Sequence, residues 1–447
     1  MNPIILIGGV IYMYLLVTRP TTIAVLFFTL TIADINLEMG GLPLNIRAIV
    51  GLTLLGRTVI MQPGEDDPGF YRLPGVQTII FFLFYGIIIS AFYDLMRPDI
   101  VKAAALTIIS VYLAWYYFYR EKNYRLFQQA LIIAGIICLA DLGFTYAYYG
   151  QFPVQRIYQF IMKVPIPVDE EGEFLEVINH NFYGMTCGVC GVFVLNEFLN
   201  NRLKGWVLIL VPLMMLGTLM STSRSSLLAF ILISLFLIGK GMKRSDTKKN
   251  VYKIISMITA AIFAMILFFT TLYDLLPLES DFIDNITMRL IDEPIAVLNK
   301  QLGYNYNVQS LDAMDWRGEA AAHAYEEFMK MDFQEQFFGI GNGGFLARNL
   351  GHGLNPHNGI LLILIESGIL GTAIYFTLLF VTIRKSLSRP DISSLTPALV
   401  FILIYCIGQN GELTNSATIM VVGLMIAENT YRSHLEQTAP ENLMNDE

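Results

Sequence analysis

Three side chains able to act on a phosphate ester stand in polar breaks between apolar runs. His357 lies in Asn355-Pro-His-Asn358, at the mouth of the apolar run 357–383. Arg224 lies in Ser221-Thr-Ser-Arg-Ser-Ser226, between two further runs. Arg317 lies in Asp315-Trp-Arg-Gly-Glu319, inside a long hydrophilic stretch. An imidazole takes and returns a proton near neutral pH. A guanidinium holds phosphate through paired N–H groups. The hydroxyls around Arg224, Ser223 and Ser225 among them, together with the start of the next helix, make a phosphate cradle. These residue types fit a base working beside a bound anion.

Each residue also has a plainer reading. His357 fits an interfacial histidine above a glycine packing seam, Arg224 an arginine snorkelling to lipid headgroups, and Arg317 a surface ion pair with Asp315 or Glu319. For His357 the local pattern predicts more. Asn355 suits an N-cap and Pro356 the first helical position, which puts His357 in the first turn. There the helix dipole favours a neutral ring able to accept a proton. Leu364, Gly368, Gly371 and Tyr375 fall on the same helix face, and the glycines permit close approach of another helix. Glu366 lies roughly 13 Å into the run at 1.5 Å per residue, on the opposite face. An ionisable group at that depth serves packing or a relay.

The elements that hold these residues are membrane spans. The chain has 447 residues, 55% hydrophobic and only 15% charged, with mean hydropathy +0.55. A soluble domain carries about 25% charged residues. The uncharged runs are long enough to cross a core that needs about 20 residues per helix. We read spans at 3–17, 21–36, 46–61, 75–94, 100–118, 127–147, 181–198, 205–220, 225–240, 252–274, 357–383, 396–408 and 415–428. That is thirteen, or twelve if one of the first two is a half-span. The alternation of a β-barrel is absent. The expected fold is therefore all-α and polytopic, one integral membrane domain over 1–447. No cleavable signal peptide is evident in the first run.

Positive charge sets the orientation. Lys240, Lys243, Arg244, Lys248, Lys249 and Lys253 bracket one short loop; Arg120, Lys122 and Arg125 mark another; Arg202 with Lys204, and Arg384, Lys385 and Arg389, mark two more. All fall on one side, expected to be cytoplasmic together with the C-terminus. Loops 148–180 and 275–356 fall on the other. Loop 275–356 is the large extramembrane cap, with an amphipathic helix expected near Asp315–Met331 and a glycine-rich stretch Gly339-Ile-Gly-Asn-Gly-Gly344. Loop 148–180 holds Val168-Asp-Glu-Glu-Gly-Glu173 and a candidate interfacial helix over Val154–Val164.

Other motifs carry less. Cys187-Gly-Val-Cys190 has redox or zinc spacing, but it sits in a span without a second ligand pair, so packing is expected. Gly-Leu-Asn-Pro between His352 and His357 breaks helical i, i+4 geometry, and no carboxylate cluster completes a metal set. We expect no metal and no cofactor.

The two motifs resemble those of the O-antigen ligase and O-antigen polymerase superfamily. Arg224-Ser-Ser-Leu-Leu228 fits its R-x3-L motif. His357-Asn358, nine residues, then Gly368-Ile-Leu-Gly371-Thr372 fits H-[NSQ]-x9-G-x-x-G-T without a gap. Loop 275–356 sits where the family has its large periplasmic loop, Gly339–Phe345 resembles that loop's end, and Asn179-His-Asn181 resembles a common span opening. The resemblance covers roughly 180–425. It implies a GT-C type membrane glycosyltransferase of twelve or thirteen spans in a bacterial inner membrane, with the active site facing the periplasm. The reaction it implies is inverting and metal-independent. A glycan passes from an undecaprenyl diphosphate carrier to an acceptor hydroxyl, on a growing glycan or on lipid A-core. Arg224 and His357 map by motif, Arg317 by its place in the loop. Ser223, Ser225, Asn358 and Asn181 are the expected substrate-binding residues. The lipid bilayer is a further partner, and nucleic acid is not expected. Polymerase is our first reading and ligase the second. Whether His357 removes the acceptor's proton or orients the donor stays open, and a transporter of lipid-linked glycans is the alternative function.

Overall fold

In the computed structural model of the protein, the described residues are 3–35, 45–60, 69–121, 123–149, 157, 180–243, 248–256, 259, 312–350, 356–387, 395–409, 414 and 416–438. They form helices and turns, with no strand among the described residues. The helices before the first motif are α1 Pro3–Thr18, α2 Pro20–Ile32, α3 Ile46–Ile60, α4 Pro74–Phe92, α5 Pro98–Trp115, α6 Tyr124–Tyr149 and α7 His180–Leu199. A 3-10 turn, Gly205–Ile209, leads into α8 Leu210–Met220, and α9 Arg224–Lys243 follows. The segment expected to form the cap contributes α10 Asp312–Lys330, α11 Phe333–Phe338 and α12 Gly344–Ala347. The chain then returns through α13 Gly359–Leu387, α14 Thr396–Tyr405 and α15 Ser416–Thr438.

The fold is the expected all-α polytopic one. Six of these helices are long and apolar enough to cross a membrane, or seven if α1 and α2 make one bent span. This is fewer than the twelve or thirteen spans read from hydropathy. Part of the difference is helix length. Gly205–Met220, Thr396–Tyr405 and Ala417–Thr430 are apolar but short. Another part is Pro20, which lacks an N–H and cannot continue a helix, so α1 and α2 meet at 114°. The expected span 252–274 and the expected helix Val154–Val164 lie almost wholly outside the described residues.

Helix α7 is the axle. Every side chain from Asn181 to Leu199 is buried, and α6, α8, α9 and α14 pack around it. Small residues make this possible. A methyl group added at Gly188 would lie 2.2 Å from Phe401 of α14, and one at Gly191 would lie 2.5 Å from Phe230 of α9. Cys187 and Cys190 are free, buried thiols in contact with Gly217 and Gly135. At the end of α7 away from the motifs, the buried Glu197 accepts hydrogen bonds from Gln128 at 2.5 Å and Arg202 at 3.4 Å.

A second, smaller core joins the cap to the first turns of α13. Ala324 and Phe328 of α10, Ile340, Phe345 of α12 and Ile365 of α13 form it, with Leu361, Leu362 and Leu364 alongside. The expected amphipathic helix near Asp315–Met331 is α10, offset by three residues at its start.

Candidate active site

The two motifs open two helices in the same way. At α9, Thr222 has a left-handed backbone, φ 50. Ser223 then caps the helix, its Oγ accepting from Ser226 N at 3.4 Å, and Arg224 is the first helical residue. At α13, His357 is left-handed, φ 47. Asn358 caps the helix, its Oδ1 accepting from Ile360 N at 3.1 Å and Leu361 N at 3.0 Å. Gly359 begins the helix. This corrects the expected arrangement, in which Asn355 capped the helix and His357 lay in its first turn. Asn358 is the better cap because its carbonyl also accepts the first helical bond, from Leu362 N at 3.0 Å. Asn355 is outside the described residues. Left-handed backbone costs a residue other than glycine about 1–3 kcal/mol and gathers at functional sites.

The hydroxyls around Arg224 divide into two groups. Ser221, Ser223 and Ser226 are buried and build the turn itself. Ser226 Oγ lies 2.9 Å from Ser223 Oγ, and Ser221 Oγ accepts from Ser223 N at 3.3 Å. They pack on the bare backbone of Gly184 in α7, where an added methyl would fall 2.2 Å from Ser221 Oγ. Ser225 points elsewhere, since an added methyl on Gly408 would fall 2.5 Å from its Oγ. Thr222 Oγ1 is buried and has no hydrogen-bond partner among the described residues.

The turn after α14 brings the two motifs to one place. Gly359 N donates to Cys406 O at 2.9 Å, and an added methyl there would lie 3.1 Å from Gln409 O. Gly408 of the same turn faces Ser225. The stretch 406–409 therefore touches the start of α13 on one side and the start of α9 on the other. Asn181, buried in the first turn of α7, stands one turn before Gly184. Arg317 lies on α10, the helix that contributes Ala324 and Phe328 to the small core.

Asp141 is a site-end residue that sequence reasoning passed over. It is buried in α6 and accepts from Ile157 N at 3.1 Å and from Tyr183 Oη at 3.4 Å. Tyr183 adjoins Gly184, so Asp141 lies one layer behind the Arg224 turn. An aspartate inside the apolar run 127–147 was the available signal.

Glu366 has a definite partner. Helix α13 is broken at Gly368, φ 64 and ψ −177, and the break leaves carbonyls that a membrane cannot solvate. Protein donors take them. Ile340 N donates to Ile365 O at 3.2 Å and Gly341 N to Glu366 O at 2.9 Å. Tyr85 of α4 donates its hydroxyl to Ser367 O at 3.2 Å and to Phe338 O at 2.6 Å. The Glu366 carboxylate then accepts from Gly343 N at 2.8 Å. The glycine-rich stretch 339–344 is thus wedged between α4 and the break in α13. Only glycine fits at the contact, since an added methyl on Gly368 would lie 2.4 Å from Gly339 N. The expected close approach of a helix to the glycine seam is also present. Gly371 lies against Tyr85, and Tyr375 stacks on Phe82 of α4 with ring centroids 5.0 Å apart.

No curated protein matches the chain. The family model of the O-antigen ligases matches residues 206–376, a segment that begins before α8, takes in Arg224, the cap helices and His357, and ends on α13. This segment, which carries both motifs, is similar to the O-antigen ligase domain.

Proposed function

We propose that the protein transfers a glycan from an undecaprenyl diphosphate carrier to an acceptor hydroxyl on the periplasmic face of a bacterial inner membrane. The site residues are Arg224, His357 and Arg317, and the capped segment 275–356 belongs to the same membrane domain. The observation that carries this reading is the turn 406–409, which meets the starts of both motif helices. It supports a single reaction centre over two unrelated structural motifs.

In this reading the leaving diphosphate gains negative charge as the glycosidic bond breaks. Arg224, fixed at the first position of α9, supplies positive potential where that charge grows, the kind of preorganised stabilisation that usually dominates catalysis. The break in the sugar–phosphate bond is matched by attack of the acceptor oxygen on the opposite face, giving inversion. His357 takes the acceptor's proton or orients the donor. General-base assistance of the first kind is worth about 10²–10⁴-fold. Arg317 closes on the diphosphate or on sugar hydroxyls.

The test is reconstitution of the purified protein with lipid-linked repeat units, alone and with lipid A-core, in the presence of EDTA. A ladder still attached to the carrier identifies a polymerase, and transfer to the core identifies a ligase. Arg224→Ala and His357→Ala are expected to lower product by at least about 10²-fold while the protein remains in the membrane. Full activity of both variants would overturn the residue roles. Movement of intact donor across the bilayer without covalent change would establish the transporter instead.

A further inference from the structure

Helix α11, Phe333-Gln-Glu-Gln-Phe-Phe338, belongs to a segment that hydropathy reads as extramembrane. Its apolar side chains are nevertheless open. Phe333 is 76% exposed and Phe338 41%. Met329 and Tyr325, four and eight residues before Phe333, share one face of α10 and are also exposed. With Phe333 and Phe338 they give α10 and α11 an exposed apolar stripe, and α11 packs on α13.

The depth of that junction follows from the unbroken part of α13 below Gly368, set against a hydrocarbon core about 30 Å thick. Arg384 and Lys385 in the last turn of α13 mark one lipid–water boundary. Gly368 lies about 24 Å along the axis from Arg384, hence inside the core near its other boundary. The backbone of α11 touches it there, with Phe337 O 2.5 Å from a methyl added at Gly368. The contact with α4 agrees. Tyr85, which binds Phe338 O, is about 10 Å short of the end of that helix at Phe92. The neighbouring outward side chains are those of spans, Phe81 and Ile88 on α4 and Ile369 on α13, all exposed.

We propose that α11 and the Tyr325–Met329–Phe333 stripe are seated in the cap-side leaflet, with acyl chains as the occupant of this face. Depth supports this: α11 touches α13 at Gly368 and α4 at Tyr85, and both positions lie within the length of their spans. The polar groups of α11 fit such a seat. Asp332 caps the helix by accepting from Glu335 N at 2.8 Å. Glu335 pairs with Arg348 at 2.6 Å. The Arg348 guanidinium lies 4.8 Å from the ring centre of Tyr93, just beyond the end of α4. The charges are thereby paired and gathered at the helix end, and the phenylalanines are left for lipid. A short amphipathic element of this kind typically lies about 5–10 Å into the boundary region.

The test places a nitroxide at Phe333→Cys and, separately, at Phe338→Cys in the full chain in phosphatidylcholine–phosphatidylglycerol nanodiscs. The four native cysteines are buried and stay unlabelled. Ile88→Cys serves as the lipid-facing reference and Glu326→Cys, exposed on α10, as the water-facing one. Accessibility to oxygen and exclusion of a nickel chelate are expected at 333 and 338, as at 88, with a depth of about 5–10 Å. Nickel access equal to that at 326 would overturn the proposal, as would low access to both reagents, which means a covering protein surface. Should the cysteine variants misfold, Phe333→Trp replaces them. Its added emission is expected to be quenched by brominated acyl chains, and unquenched emission would overturn the seat.

Discussion

The starts of α9 and α13 share one plan and differ in where the functional residue stands. Both have a left-handed residue, then a capping side chain, then the helix. Arg224 follows its cap and His357 precedes its cap. The support differs as well. The Arg224 turn is held by serines of its own segment against Gly184. The His357 turn is followed by a helix start held from another segment, by the Cys406 carbonyl, and lower on α13 the glycine stretch 339–344 binds the helix at its break. On the proposed function the difference has a use. A fixed positive charge needs only a rigid local turn. A residue that meets an incoming hydroxyl sits in a loop that the cap can reach and shape.

Substitutions at the two helix starts and at the break in α13 test or sharpen this contrast. The largest effect is expected from Gly368→Ala. Its methyl would meet backbone of the cap at 2.4–2.5 Å, and the residue must also hold a positive φ. The cap shifts, and a displacement of about 1 Å at a reaction centre can cost about 10²-fold in rate. Turnover and protease resistance of the cap should fall together, whereas unchanged turnover would show that the wedge is not coupled to the site. Gly184→Ala acts on the other helix start and is expected to be milder, because the obstacle is a serine hydroxyl, 2.2 Å away. Adding Ser221→Ala should restore much of the lost activity, the non-additivity expected of neighbours. Asn358→Ala should lower stability by about 1 kcal/mol through loss of the cap. Asn358→Ser should recover it in a thermal unfolding assay. Ser223→Asn should not be tolerated, since Ser223 is packed against α7. The smallest effect belongs to Thr222→Gly. It relieves a strained backbone, and it removes a buried hydroxyl that lacks a partner among the described residues. Stability should rise by about 1 kcal/mol or less. A loss of activity alongside that gain would show that the hydroxyl serves substrate.

Much of this was legible in the residues. The run 181–198 is α7 almost to the residue, and Asp315–Met331 is α10. The spacing from His357 to Gly368 and Gly371 marked a seam that does meet α4. Other features were hidden for physical reasons. Hydropathy reports whether a segment avoids water, and it cannot distinguish lipid from protein around it. Helix α7 and the lipid-facing α4 therefore look alike in sequence. The break at Gly368 was illegible because a glycine inside an apolar run bends a helix only if donors exist for the freed carbonyls. Those donors lie at Tyr85, Ile340 and Gly341, far from it in sequence. The hydroxyls around Arg224 could be counted but not assigned, since cap, packing and ligand contacts all draw on the same serines.

The complete enclosure of α7 also bears on how the chain is made. Asn181, Asn196 and Glu197 are shielded only by neighbouring helices, and of these α8, α9 and α14 are synthesised after it. A nascent chain halted at Leu199 offers those polar groups to the bilayer or to the insertion machinery with most of its wrapping missing. Biogenesis must therefore retain this helix in a protected setting until the C-terminal helices arrive. Reporter fusions placed directly after α7 will report on that holding step as much as on topology.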